Sequence, residues 1–185
     1  CVGEKDVVLD LGSGDGRVVV AAAYFYGARA VGIEVDRLLC GVAEAFASIK
    51  GVSGRVKIVC RDFMEVDLGV FRPTVVYLYL YPSILEKISG KLERELEPGT
   101  RVVSVEFSIR RWSPVGVRTV VDEHGYEHTI WLYITGISNP AARTVGIMKN
   151  IDRIAQMLRN VKIERGYDVL DRFAEIEKTG RGHRR

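Results

Sequence analysis

Apolar residues in this chain fall into short continuous runs that alternate with runs of helical periodicity. The spacing predicts a strand over Asp6 to Leu11, then a helix from about Asp15 to Tyr26 that stops at Gly27. A strand over Ala30 to Val35 follows, and a helix from about Arg37 to Lys50 that Gly51 ends. Two more strands are expected, Val56 to Cys60 and Thr74 to Tyr81, before a helix over Ser83 to Leu96 whose Ser83 and Glu86 have the spacing of a capping box. After the Pro98-Gly99 turn and a strand over Arg101 to Ser108, the helical patterns stop. Val117 to Asp122 and His128 to Thr135 read as two strands around a turn at His124-Gly125. Strands alternating with helices predict an α/β fold with a mostly parallel sheet, here closed by a hairpin.

Asn139-Pro140 marks a boundary, so the chain divides into a core, 1–137, and an extension, 138–185. In the extension, Val145, Met148, Ile151, Ile154, Ala155 and Leu158 share one face of a helix expected over Arg143 to Arg159. A shorter helix is expected over Tyr167 to Glu177, and a fraying Gly/Arg-rich end from Thr179.

The junction of the first strand and helix reads Asp10-Leu11-Gly12-Ser13-Gly14-Asp15-Gly16-Arg17. Glycines let the backbone turn sharply and approach a ligand, and the following helix aims its free N–H groups at the same point. The dinucleotide fingerprint G-x-G-x-x-G would need a third glycine at position 17, where Arg17 stands. A pyrophosphate therefore fits poorly. An acid beside alternating glycines suits a ligand with an ammonium group and ribose hydroxyls, as S-adenosyl-L-methionine has. Asp10, Gly12, Ser13, Gly14 and Asp15 are the expected contacts at its methionine end, although Asp15 could instead cap the helix and Arg17 could orient Asp15 or lie on the surface. Glu34, at the tip of the second strand, suits the ribose hydroxyls or is a surface acid. Asp62 and Phe63, after the third strand, suit the adenine amino group and ring face, or are a loop acid and a core phenylalanine.

Alternation places Tyr77, Tyr79 and Tyr81 on one face of the fourth strand, where packing is the default. Tyr81 differs in standing at the C-terminal end of a central strand, where open α/β sheets bind ligands.

Charge is uneven. The net charge is +3, but residues 1–137 hold 16 Lys and Arg against 18 Asp and Glu, whereas 138–185 hold 11 against 6. A basic extension suits an acidic protein or nucleic acid, or is a solvated helix surface. The three cysteines, Cys1, Cys40 and Cys60, lack metal-ligand spacing and read as a reduced, cytoplasmic protein in which Cys40 and Cys60 pack rather than react. No apolar run approaches the ~18–20 residues of a membrane span, and no secretory signal is seen. Cys1 in place of Met suggests missing upstream sequence.

The chain resembles the small seven-strand protein-lysine methyltransferases of archaea and their eukaryotic mitochondrial relatives. The likeness covers about residues 3–136 and is carried by DLGSGDGR (10–17), VGIE (31–34), KLERELEPGTRVVS (91–104), Trp112-Ser113-Pro114 and His128-Thr129-Ile130-Trp131. It implies a Rossmann-like seven-stranded sheet with an antiparallel last strand, S-adenosyl-L-methionine as cofactor, no metal, and a protein substrate with an exposed lysine. Amide and adenine-N6 methyltransferases of this fold carry Asn/Asp-Pro-Pro-aromatic where this chain has Tyr81-Pro82-Ser83, which points to an aliphatic amine. Tyr81, Glu106 and His128 are candidate proton acceptors, though Glu106 could pair with Arg110 or Arg111 and His128 could be structural. Trp112 either walls a lysine channel by cation–π contact or packs under the hairpin. A helix that such proteins carry before the first strand does not appear in this sequence unless upstream residues are missing, and the helix from Arg143 is expected to replace it and to offer a route to an oligomer. RNA or small-molecule methylation on the same fold is the rival expectation, with nucleic acid ranked behind protein as a partner. A non-catalytic cofactor-binding module is the other rival.

Overall fold

The computed structural model describes residues 2–122 and 124–139. The helices expected beyond Arg143 lie outside the described residues. The elements run β1 (Val7–Leu11), α1 (Arg17–Tyr26), β2 (Arg29–Glu34), α2 (Arg37–Ile49), β3 (Val56–Cys60), β4 (Val75–Leu78), α3 (Pro82–Glu95), β5 (Arg101–Val105), β6 (Gly116–Val121) and β7 (Glu127–Ile134). They form one seven-stranded sheet in the order β3-β2-β1-β4-β5-β7-β6. β1 to β5 are mutually parallel, and β7 runs antiparallel to both β5 and β6.

All five residues of β1 are buried, as expected of a central parallel strand covered on both faces. On one face Leu9, Leu11, Val76, Leu78, Val102 and Tyr133 pack against Leu85, Ile88 and Leu92 of α3. On the other, Val8, Ala30 and Val75 pack against Val19 and Ala22 of α1. The strand order reverses direction between β1 and β4, the switch point at which open α/β sheets bind ligands.

The boundaries that differ from expectation differ for local reasons. α1 starts at Arg17, because Gly16 has φ +78° and cannot join a right-handed helix. β5 ends at Val105 rather than Ser108, because Glu106 has φ +68°. β4 loses its partner at the same level and ends at Leu78, not Tyr81. The capping box does not form. Tyr81 is the N-cap of α3 without a side-chain bond, Pro82 occupies the first turn, and Glu86 pairs with Arg110 at 2.8 Å.

The expected roles of Cys40 and Cys60 are corrected. They are joined in a disulfide with Cα atoms 5.9 Å apart. Cys60 is the register partner of Glu34, and Cys40 lies in the first turn of α2, which starts three residues after Glu34. The strand pairing, invisible in cysteine spacing, brings the two together. A sparse, odd count was therefore no sign of reduced thiols.

Candidate active site

The tips of β1 to β5 and the β6–β7 hairpin meet along one edge of the sheet. At the β1 tip the backbone N–H groups of Gly12 and Ser13 both donate to the carbonyl of Ile33, at 2.8 and 3.1 Å, folding the turn over β2. Gly12, Gly14 and Gly16 all have positive φ, which explains the alternating spacing. A Cβ on Gly14 would meet nothing within 4 Å, so the turn is open there. A Cβ on Gly16 would lie 2.7 Å from that of Ala43. Ser13 sits in the space that Gly32 leaves, since a Cβ on Gly32 would be 2.5 Å from Ser13 Oγ. That hydroxyl is buried and has no hydrogen-bond partner among the described residues.

Asp10 is 3% exposed. Burial first, then the charges of Glu34 and Asp15, push its carboxyl from 3.8 up to about 8. A buried carboxyl that holds its proton in this way is suited to a cationic ligand, which favours the ionised form. Glu34 is buried too, and accepts from the backbone N–H groups of Gly14, Val35 and Asp36 at 2.8, 2.8 and 3.0 Å. Two of these bonds fall on Oε1 and one on Oε2, so Oε2 keeps accepting capacity for a hydroxyl. The carboxylate thus fixes the glycine turn. Asp15 forms a two-pronged pair with Arg17, Nε to Oδ1 at 3.0 Å and Nη2 to Oδ2 at 2.7 Å. The hydrogen bonds from Arg17 hold the Asp15 carboxyl below its ordinary value. Arg17 therefore orients Asp15, one of the two expected alternatives. Asp62 is exposed and accepts from the N–H of Met64 at 2.8 Å, and Phe63 packs against the main core.

Toward the centre of the sheet, Tyr77 is the register partner of Asp10, and burial first, then the charge of Asp10, raises its phenol above the ordinary value. Tyr81 is 75% exposed and its ring lies 6.4 Å from that of Phe107. Glu106 does not pair with Arg110, which Glu86 takes. It bonds to Nδ1 of His128, whose Nε2 lies 3.2 Å from Oδ2 of Asp122. Asp122 was not singled out from the sequence, since a lone acid at a hairpin end is a common turn residue. Of the two expectations for Trp112, a channel wall or a packing residue, the structure shows the packing residue. It is 6% exposed, donates to Glu93 Oε1 at 2.9 Å and meets Tyr133 edge-on. No group of three His, Cys, Asp or Glu residues able to hold a metal ion occurs among the described residues. Within the same residues no helix is long and apolar enough to cross a membrane.

The sheet order, the open glycine turn and the acids at successive strand tips define a seven-stranded S-adenosyl-L-methionine-dependent methyltransferase. The orphaned Ser13 hydroxyl, the protonated Asp10 and the open face of Gly14 fit such a cofactor. The chain belongs to the ANTKMT methyltransferase domain family, whose model matches residues 10–116. It is 44% identical over 138 residues to a protein-lysine N-methyltransferase of Saccharolobus islandicus, covering 73% of this chain and 83% of that one. It is 36% identical over 145 residues to the adenine nucleotide translocase lysine N-methyltransferase of Mus musculus, covering 78% of this chain but 60% of the mouse protein. Among solved structures it is similar to one described as an RNA methyltransferase from Salinibacter ruber, bound to S-adenosyl-L-homocysteine. That match has 44% identity and a TM-score of 0.65, and covers 72% of this chain and 82% of that one.

Proposed function

We propose that this chain transfers a methyl group from S-adenosyl-L-methionine to the side-chain amine of lysine in a protein. The observation that carries this reading is the concentration of carboxylates along the site edge. Glu34 ends β2, and Asp62, Glu106 and Asp122 follow β3, β5 and β6 there. Such an edge attracts a cationic side chain and repels a phosphate backbone. The Saccharolobus islandicus and Mus musculus relatives are both named lysine methyltransferases, which supports the same substrate class.

Asp10, Ser13 and the open turn at Gly14 would hold the methionine end of the cofactor, Glu34 the ribose, and Asp62 the adenine. When bound, the cofactor supplies a methyl group made electrophilic by its sulfonium. The chain's own task is positioning, with Gly12 to Gly16 and the Tyr81–Phe107 wall setting the approach of the amine. The amine must also arrive neutral, whereas lysine at its reference pKa of ~10.4 is less than ~0.1% neutral at pH 7. An oligomer formed through residues 138–185 belongs to the same proposal and rests on the helical periodicity of that segment.

A second reading, methylation of RNA, is favoured by the likeness to the Salinibacter ruber RNA methyltransferase. The test uses methyl-radiolabelled S-adenosyl-L-methionine with the purified chain and cell extract, split between protease and ribonuclease. The lysine reading expects label that protease releases, ribonuclease spares and hydrolysis returns as methyl-lysine. Ribonuclease-sensitive label, or no label despite cofactor binding, would overturn it.

A further inference from the structure

The end of β5 holds an unusual backbone. The Phe107 N–H donates to the carbonyl of Val105 at 2.9 Å, across Glu106 at φ +68°. This is a three-residue γ-turn of the positive-φ kind, which is rare and strained for a residue with a side chain. The surroundings enforce it. Ser104 Oγ donates to the Phe107 carbonyl at 2.7 Å, and the Glu106 N–H donates to the carbonyl of Thr129 at 2.8 Å. Glycine would take this conformation without steric cost, so a glutamate here draws notice to its side chain.

That side chain is held at one oxygen. Glu106 Oε1 bonds to His128 Nδ1, and His128 Nε2 faces Asp122 Oδ2. Asp122 is itself fixed, its Oδ1 accepting from the N–H groups of His124 and Tyr126 at 2.9 and 2.8 Å. The bond from Glu106, then that from Asp122, raises the His128 imidazole above its ordinary value. Two carboxylates thus flank the one imidazole ring. The same strained turn sets Phe107 beside Tyr81, with ring centroids 6.4 Å apart. The array thus stands next to this aromatic pair, at the ends of β4 and β5. Tyr81, by contrast, is three-quarters exposed and meets the Phe107 ring rather than a polar network.

We propose that Glu106 removes the proton from the substrate ammonium, and that His128 and Asp122 are its positioning residues. This rests on the lysine reading above. One N–H bond of the ammonium breaks and its electron pair stays on nitrogen, where it forms the new bond to the methyl carbon as the sulfur–methyl bond breaks, its pair staying on sulfur so that S-adenosyl-L-homocysteine leaves. The proton bonds to the free Glu106 oxygen and passes to water, since the Glu106 side chain remains about a quarter exposed. The group that faces Glu106 is His128 from β7, with Asp122 behind the imidazole.

The test measures methyl transfer from S-adenosyl-L-methionine to a synthetic lysine-rich peptide, at pH 7 and pH 10, with cofactor binding measured separately. Glu106→Gln should be slower by about 100-fold at pH 7, in the range of general-base catalysis. At pH 10, where about a third of free lysine is already neutral, the deficit should shrink to about fivefold. A merely structural role would not move with pH in this way. His128→Gln should lower kcat by about tenfold, with KM and cofactor affinity within about twofold, as for loss of a group acting only in the transition state. Glu106→Gly, which relieves the turn, should melt no lower than the parent and still lose transfer at pH 7, which separates catalysis from folding. A Glu106→Gln deficit equal at both pH values, or variants that keep pace with the parent, would overturn this inference and leave the lysine reading intact. A parent chain that labels RNA and not the peptide would overturn both.

Discussion

The two halves of the site edge are built in opposite ways. At the tips of β1 and β2 the acids are buried and tied to nearby backbone. Glu34 is fixed by three N–H groups, Ser13 fills the gap over Gly32, and the turn hangs from the Ile33 carbonyl. At the tips of β4, β5 and the hairpin the chemistry is carried by exposed rings and by side chains from distant segments. Tyr81 and Tyr79 stand in solvent, and Glu106, His128 and Asp122 are brought together across three strands. In the proposed reading the first half is preorganised for the cofactor, and the second stays open to admit the side chain of a protein substrate.

The largest expected effect falls on the buried half. Asp10 binds its proton more tightly in the fold than in the unfolded chain, because its carboxyl rises from 3.8 to about 8. Between about pH 4 and 8 the unfolded chain sheds a proton that the fold keeps, so the contribution of Asp10 to stability falls as pH rises through that window. Asp10→Asn should therefore abolish cofactor binding while melting above the parent, by a margin that grows from pH 4 to 8 and then levels. Calorimetry and thermal melts across that range check both parts, and a margin independent of pH would show that Asp10 is already ionised in the fold. Gly32→Ala comes next. Its Cβ would meet Ser13 Oγ at 2.5 Å, and the overpacking should cost about 1–3 kcal/mol together with a loss of cofactor affinity, read by denaturant titration and equilibrium dialysis. If affinity survives, the turn is less rigid than a preorganised cofactor half requires.

Cys60→Ser addresses the clamp beside that half. Opening a loop of 20 residues should cost about 3 kcal/mol of stability, with a smaller effect on transfer than Gly32→Ala because neither sulfur lies among the proposed ligand contacts. Equal melting of oxidised and reduced parent would argue against the bond. The smallest effect on activity is expected of Trp112→Phe. Losing the bond to Glu93 should cost about 1–2 kcal/mol and leave kcat and KM unchanged. A raised KM for a lysine peptide would return Trp112 to the substrate side.

Much of the buried half was legible in the sequence. Asp10, the alternating glycines and Glu34 sit close along the chain or at strand tips whose positions follow from hydrophobic runs, and the third alternating glycine, Gly16, proved to be the residue that delays α1. The substrate half was legible only as candidates. Glu106 had Arg110, Arg111 and solvent as competing partners, and nothing in its neighbourhood signalled a positive φ. Its true partner is 22 residues away. Trp112 looked equally suited to a channel and to the core, and only its packing against Tyr133 of β7 decided for the core. The Cys40–Cys60 bond was hidden for the same reason, because it depends on which residue of β3 lies opposite Glu34.

Hydrophobic periodicity and glycine placement by themselves determined the α/β class, the succession of elements and the cofactor turn, since these depend on residues within a few positions of one another. The tertiary structure alone decided the insertion of β7 between β5 and β6, the disulfide, the burial of Trp112 and the union of Glu106 with His128 and Asp122. Each of these is set by strand register between distant segments, and register follows from how whole faces pack rather than from any local pattern.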